Sequence, residues 1–180
     1  GLHMAGMGSC GKHFPGHGYV IPDSHVELPV DDRAFEAMQD DIEPYRQLPL
    51  DGVMAAHVIY NCIDCNTAVF SNKWIGYLRD DIKFNGVVFT DDLSMAGAGV
   101  VGGMINRVET AYNAGCDMLL VCNAPDVVGD VLENWKPEID PARGKRVEAL
   151  IPNVPAKDWD ALLSDSAYIA AQETIAKLMA

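Results

Sequence analysis

The chain has 180 residues, 49% hydrophobic and 22% charged, enough for one domain with a packed core, and no apolar run approaches the length that spans a bilayer. A formal charge of −13 repels phosphate backbones and anionic lipid, so nucleic-acid and membrane partners are not expected. Gly1-Leu2-His3-Met4 has neither a basic nor an apolar signal segment, and five scattered cysteines (10, 62, 65, 116, 122) do not form a secreted disulfide framework. A reduced, cytoplasmic setting is expected, with Cys62-x-x-Cys65 read as two ordinary thiols because no second pair accompanies it.

Along the chain, short β-rich apolar runs alternate with stretches of helical periodicity, which predicts a parallel sheet. The runs are Met7–Phe14, Gly52–Tyr60, Gly86–Thr90 and Met118–Cys122, giving expected strands near 8–13, 53–60, 86–90 and 117–122. Between the first two, Phe35, Met38, Ile42 and Tyr45 form one stripe of a helix expected to start at Asp31 or Asp32. Its other face is acidic: residues 23–51 hold nine Asp/Glu against two Arg, the pattern of a solvated surface.

Ser71 is placed to cap a second helix bearing Trp74, Ile75, Leu78 and Ile82. Met104, Ile105, Val108 and Tyr112 stripe a third, which Gly115 closes. Pro125 suits the first turn of a fourth, with Val127, Val128, Val131, Leu132 and Trp135 on its apolar face. From 136 to 155 four prolines predict an irregular connection around a short helical piece, and a terminal helix is expected from about Lys157. Periodicity alone leaves two architectures open: half of a (β/α)8 barrel, or an open doubly wound sheet, which here lacks its Gly-x-Gly-x-x-Gly turn.

Two constellations carry chemistry. Lys12-His13-Phe14-Pro15-Gly16-His17-Gly18, followed by Asp23-Ser24-His25, puts three histidines, a lysine and a carboxylate just after a predicted strand. Asp23, two residues from His25, can orient one imidazole nitrogen and turn the other outward as an acid/base. His13 and His17 have the spacing of a helical zinc pair, but Pro15, Gly16 and Gly18 disfavour a helix and nothing completes a tetrahedral shell, so no metal and no cofactor are expected. The second constellation is Asp91-Asp92, closing the strand Gly86–Thr90; neighbours on a strand point to opposite sides, so one can face a site while the other caps the following turn. Both acting as caps is the plainer alternative.

The segments 12–18, 23–25, Ala56-His-Val-Ile-Tyr60, Gly86-Val-Val-Phe-Thr-Asp-Asp-Leu-Ser-Met95 and Ala114-Gly-Cys-Asp-Met-Leu-Leu-Val-Cys-Asn123 together resemble the bacterial β-N-acetylglucosaminidases of glycoside hydrolase family 3, the cell-wall-recycling type. The resemblance implies an α/β fold: strands five to eight, the C-terminal half, of a single (β/α)8 TIM-type barrel. Residues 1–180 would form one partial catalytic domain, four βα units to about 135 and then a connection and helix. Missing is the family's early Asp-x-Glu-Gly-Gly-x-Val segment; Ala55 stands where relatives have Pro, and residues 61–65 diverge.

Carried over residue by residue, the likeness makes Asp91 the nucleophile, His25 the acid/base, Asp23 its orienting partner, and Lys12 and His13 holders of sugar hydroxyls. His17 and His57 would lie near the mouth of the site and Asp92 beside Asp91, as site neighbours. The implied activity is retaining hydrolysis of terminal β-linked N-acetylglucosamine from peptidoglycan-derived muropeptides. A phosphorylase, favoured by a histidine acid/base that tolerates anionic phosphate, and an inactive sugar-binding or assembly fragment are the alternatives. Half a barrel would leave Val87, Phe89, Met118 and Leu120, or their alternating neighbours, beside an uncovered face, so the missing half or a second copy is the expected protein partner.

Overall fold

A computed structural model describes residues 1–122, 124–152, 155 and 157–179. They fall into two compact units, residues 8–151 and residues 1–7 with 152–180.

The larger unit is built on a parallel three-stranded sheet in which β3 (Gly52–Ala55) lies between β1 (Cys10–Phe14) and β5 (Val87–Thr90). Its register aligns Gly11, Val53 and Val88 in one row and Lys12, Met54 and Phe89 in the next. Residues paired across parallel strands share a face. The first row therefore points into the core and the second lines the opposite face, where Lys12 is exposed and Met54 and Phe89 are half-buried. A second parallel pair joins β2 (Val30–Asp31) to β4 (Ile59–Tyr60).

Two expected strands are corrected. The run 52–60 is not one strand: Ala56 N–H donates to the Phe14 carbonyl, residues 56–58 leave the ladder, and Ile59 N–H is taken by Pro29. Met118–Cys122 makes only one bridge to β5, Met118 against Phe89. The ladder stops there because Leu120 N–H donates to the Thr90 hydroxyl at 2.9 Å instead of to a strand carbonyl.

Asp31 does not start a helix either. It belongs to β2, and its carboxylate accepts from Arg33 Nε and Nη2 at 3.0–3.1 Å and 2.7 Å, so it is unavailable as a cap. A 3₁₀ turn at Phe35–Met38 leads instead into α1 (Gln39–Gln47), whose Ile42 and Tyr45 are buried with Met38. α2 (Asn72–Gly76) is capped as its sequence predicts, Ser71 Oγ accepting from Trp74 N–H at 3.2 Å. α3 (Met104–Ala114) ends at Gly115, whose φ of 114° is open to glycine at no steric cost.

α4 (Pro125–Asn134) has Pro125 in its first turn; on its predicted apolar face Val131 is buried, Val127, Val128 and Trp135 are half-buried, and Leu132 is exposed. α5 (Pro141–Glu148) is the short helix expected within the connection. In the smaller unit, α6 (Trp159–Leu163) is capped by Asp158 and α7 (Ser166–Met179) follows.

Trp74 centres the larger unit's core, with Phe14, Tyr60 and Tyr77 edge-on to it at ring separations of 5.5–6.1 Å. Edge-to-face packing matches ring edges to ring faces electrostatically, and truncating so buried an indole to alanine costs about 3–5 kcal/mol. This core lies behind the sheet and holds the ends of β1, β3 and β5 level, so the loops that follow them meet.

Candidate active site

At the end of β1 the register slips between Lys12 and Phe14, and the Lys12–His13 and Phe14–Pro15 peptides are cis. His13 Nε2 lies 3.4 Å from Asp91 Oδ2, one residue past the end of β5. The two loops therefore converge. The other carboxylate oxygen, Asp91 Oδ1, accepts from Asp92 N–H at 2.8 Å. Asp91 is thus held at one oxygen by a strong neutral donor, while the second faces a half-buried imidazole.

Asp92 is fully engaged in the turn. Its Oδ1 accepts from Ser94 N–H at 2.9 Å and Cys122 N–H at 3.0 Å, and its Oδ2 from Ser94 Oγ at 2.6 Å. Burial pushes this carboxyl up, but those hydrogen bonds outweigh it and hold Asp92 below the ordinary carboxylate range. Of the two adjacent acids, one is a turn builder and the other is left with accepting capacity.

The loop after Pro15 carries the second pair. Asp23 Oδ1 accepts from both the backbone N–H of His25, at 2.9 Å, and its Nδ1, at 2.7 Å. The two donors lower the Asp23 pKa, and the same contact raises that of His25. With Nδ1 committed to the carboxylate, Nε2 is the imidazole nitrogen left for exchange of a proton. The pair is exposed, 64% for the aspartate and 72% for the histidine.

The dyad loop is tied to the β5 loop through Ser24. Its hydroxyl meets His17 Nε2 at 3.2 Å and its carbonyl accepts from Gly97 N–H at 3.1 Å. A side chain at Gly97 would put a Cβ 3.1 Å from both the Ser24 carbonyl and His57 Cβ, so glycine permits this approach. His17 also stands edge-on to His13 at 5.9 Å. Sequence reasoning passed over Ser24; its place inside Asp-Ser-His was the available signal.

His57, expected at a site mouth, is instead fully buried, with Nε2 3.0 Å from the Asp92 carbonyl. Lys12 is exposed on the open sheet face. A cavity of about 390 Å³ is lined by Lys12, His13, His17, Asp40 and Asp41. A larger one, about 890 Å³, lies between α3 and residues 134–143 and touches none of these acid/base groups. Of the expected open-face residues, Val87 is fully buried, while Phe89, Met118 and Leu120 are half-buried.

Burial lowers the His13 pKa against the pull of the Asp91 carboxylate. The histidines near Asp91 are therefore tuned oppositely: His13 towards the neutral form, His25 towards the cation. No group of three or more His, Cys, Asp or Glu among the described residues could hold a metal ion, and no described helix is long and apolar enough to cross a membrane.

The glycosyl hydrolase family 3 N-terminal domain matches residues 1–149. A β-hexosaminidase of Aromatoleum aromaticum is 49% identical, the alignment covering 99% of this chain and 52% of the relative, and one of Haemophilus influenzae is 45% identical, covering 93% and 50%. Among solved structures, native NagZ from Neisseria gonorrhoeae superposes with a TM-score of 0.84 at 38% identity, covering 97% of this chain and 52% of its own. The same protein in complex with N-trifluoroacetyl-D-glucosamine gives 0.83 at 37%, covering 97% and 51%. The chain spans about half the length of the curated relatives it matches. On the family match over residues 1–149 and these identities, the chain belongs to glycosyl hydrolase family 3.

Proposed function

We propose that this chain is the part of a retaining β-N-acetylglucosaminidase that supplies both reacting groups. The observation that carries the reading is the meeting of the two loops past β1 and β5: His13 lies 3.4 Å from an Asp91 carboxylate with spare accepting capacity, and Ser24, set between the hydrogen-bonded Asp23 and His25, is tied to the β5 loop at Gly97. In the first step His25 delivers a proton to the glycosidic oxygen as Asp91 attacks the anomeric carbon, giving a glycosyl ester and a free alcohol. In the second, His25 takes a proton from the water that displaces Asp91. Asp23 keeps the imidazole in one tautomer and favours its cationic form. A second carboxylate in that role would repel Asp91; an imidazole does not. Lys12 and His13 hold sugar hydroxyls, with His17 and Asp92 shaping the loops around them.

The sheet and the 118–120 run are proposed as strands five to eight of a (β/α)8 barrel, with residues 1–180 as one partial catalytic domain. The substrates are N-acetylglucosamine-containing saccharides, a reading supported by the β-hexosaminidase relatives and by the N-trifluoroacetyl-D-glucosamine complex of NagZ; within that class the proposal is muropeptides from peptidoglycan turnover in the cytoplasm. The half-exposed row of Met54, Phe89 and Met118 calls for a partner, the remaining barrel half or a second copy. Sedimentation over a range of concentrations is expected to show association; a stable lone monomer contradicts this.

The isolated chain is expected to be inactive, so the function is tested by incubating it, together with the complementing barrel half, with an aryl N-acetyl-β-glucosaminide, with and without inorganic phosphate. Free N-acetylglucosamine at the same rate in both is the expected result. A phosphate-dependent sugar 1-phosphate would make the enzyme a phosphorylase. Binding without turnover, in the presence of the complementing half, would leave an inactive sugar-binding fragment.

A further inference from the structure

Beyond β3 the chain turns inward and buries His57 completely behind the Asp91–Asp92 turn. Its Nε2 is 3.0 Å from the Asp92 carbonyl oxygen. A carbonyl only accepts, so Nε2 carries the proton and donates. Nδ1 is then a bare lone pair, and it is buried with no hydrogen-bond partner among the described residues. Such a nitrogen is a poor way to fill space, since a leucine or methionine of similar bulk would bury no orphan acceptor. The residue makes physical sense if its hydrogen bonding to the Asp91–Asp92 backbone holds something that matters.

What it holds is the centre of the site turn. Asp92 donates its N–H to Asp91 Oδ1 at 2.8 Å, its carboxylate is pinned by Ser94 and by Cys122 N–H, and its carbonyl takes His57 from behind and Met95 N–H from within the turn. The imidazole is itself confined, by the Phe70 ring at 5.8 Å and by the backbone at Gly97, where a Cβ would come within 3.1 Å of His57 Cβ. We propose that His57 is a positioning residue for Asp91: its Nε2–H fixes the Asp92 backbone, whose own N–H anchors Oδ1 and leaves Oδ2 as the reacting oxygen. The nucleophile role of Asp91 comes from the glycosidase reading; the chain of hydrogen bonds does not depend on it.

The experiment compares the parent chain with His57→Gln, which returns an N–H donor near the Nε2 position, and with His57→Leu and His57→Asn, which do not. In the parent, long-range ¹H–¹⁵N correlations are expected to show His57 protonated at Nε2. Amide exchange at Asp92 is expected to accelerate about tenfold in the Leu and Asn variants and to stay within about threefold of the parent in Gln, with the melting temperature of each variant reported alongside. In the form of the protein that turns over substrate, Leu lowers kcat about tenfold at unchanged KM and Gln restores it.

An Nδ1-protonated His57 in the parent overturns the inference without any variant having to fold. A folded Leu or Asn variant with parent-like exchange at Asp92 overturns it as well. Full activity in Asp91→Ala would instead sink the glycosidase reading while leaving the exchange result standing, so the two failures are distinguishable.

Discussion

Near the start of β5, the fully buried Asp117 carboxylate accepts from Arg79 Nη2 at 2.7 Å, Arg146 Nη2 at 2.6 Å and Val88 N–H at 2.8 Å. Just past the end of the same strand, Asp91 has one backbone N–H and an imidazole at 3.4 Å, and is 17% exposed. Both residues are aspartates on the β5 ladder, and their surroundings are opposite. At Asp117 two guanidinium groups neutralise and saturate the charge, and they clamp α5 and the α2 side of the unit to the sheet; nothing is left with which to attack a substrate. At Asp91 the accepting capacity is unfilled, and it faces groups whose protonation is tuned rather than permanent. Carboxylate chemistry is thus assigned by counting what each oxygen already accepts, not by residue type.

Substituting both aspartates gives the hardest test of that contrast. Asp91→Ala is expected to cost several orders of magnitude in turnover with little change in melting temperature, because it removes the covalent step. Asp117→Ala is expected to lose about 3–5 kcal/mol of stability, since two partly buried arginines would face each other without a counter-charge, while the folded fraction keeps its turnover. Urea unfolding and rates per folded molecule check both; comparable catalytic losses at the two positions would break the contrast.

His25→Ala sharpens the picture of the dyad. Glycosides with an activated leaving group need no protonation in the first step, so they are expected to lose far less than natural substrates. Equal losses for both substrate types would remove the acid role.

Asp92 stands between the two extremes, an active-site neighbour that is satisfied like Asp117. Asp92→Ala is expected to cost about 1–2 kcal/mol through the lost Ser94 and Cys122 bonds, and to hurt turnover much less than Asp91→Ala. Thermal melts with paired kinetics distinguish the two, and a loss as deep as that of Asp91→Ala would place Asp92 in the chemistry.

The smallest effect is a titration. His25 has a raised pKa through Asp23 and His13 a lowered one through burial, so on raising the pH His13 deprotonates first. The contribution of the His25–Asp23 pair is present below the unfolded histidine value and is lost as pH rises through the raised one. Any rate limb that depends on His25 as an acid falls over the same range, above about pH 6.5. Asp23→Asn is expected to bring the His25 titration down towards that of an ordinary histidine, read by NMR; an unchanged titration would detach Asp23 from its orienting role.

Local signals were legible in the sequence wherever one residue acts on its chain neighbours. Ser71 capping α2, Gly115 closing α3, Pro125 opening α4 and Asp23 reaching His25 are all of this kind. Expectations failed where a distant group competed for the same atom. The 118–122 strand was cut short by the Thr90 hydroxyl and the run 52–60 was broken where the Pro29 carbonyl took Ile59 N–H; the cap expected of Asp31 was lost to a local competitor, Arg33 two residues on.

By itself, then, the sequence determined the alternation of strands and helices, the family, and the cluster of acids and bases around residues 12–25 and 91–92, because periodicity, capping and motif spacing are properties of adjacent residues. Tertiary structure alone decided that Asp117 is sealed by Arg79 and Arg146, 38 and 29 residues away, and that His57 lies behind the site rather than at its mouth. It also decided which of two adjacent aspartates keeps an oxygen to spare. Hydrogen-bond saturation depends on every donor that folding brings within about 3 Å, and no local pattern encodes donors that arrive from other elements.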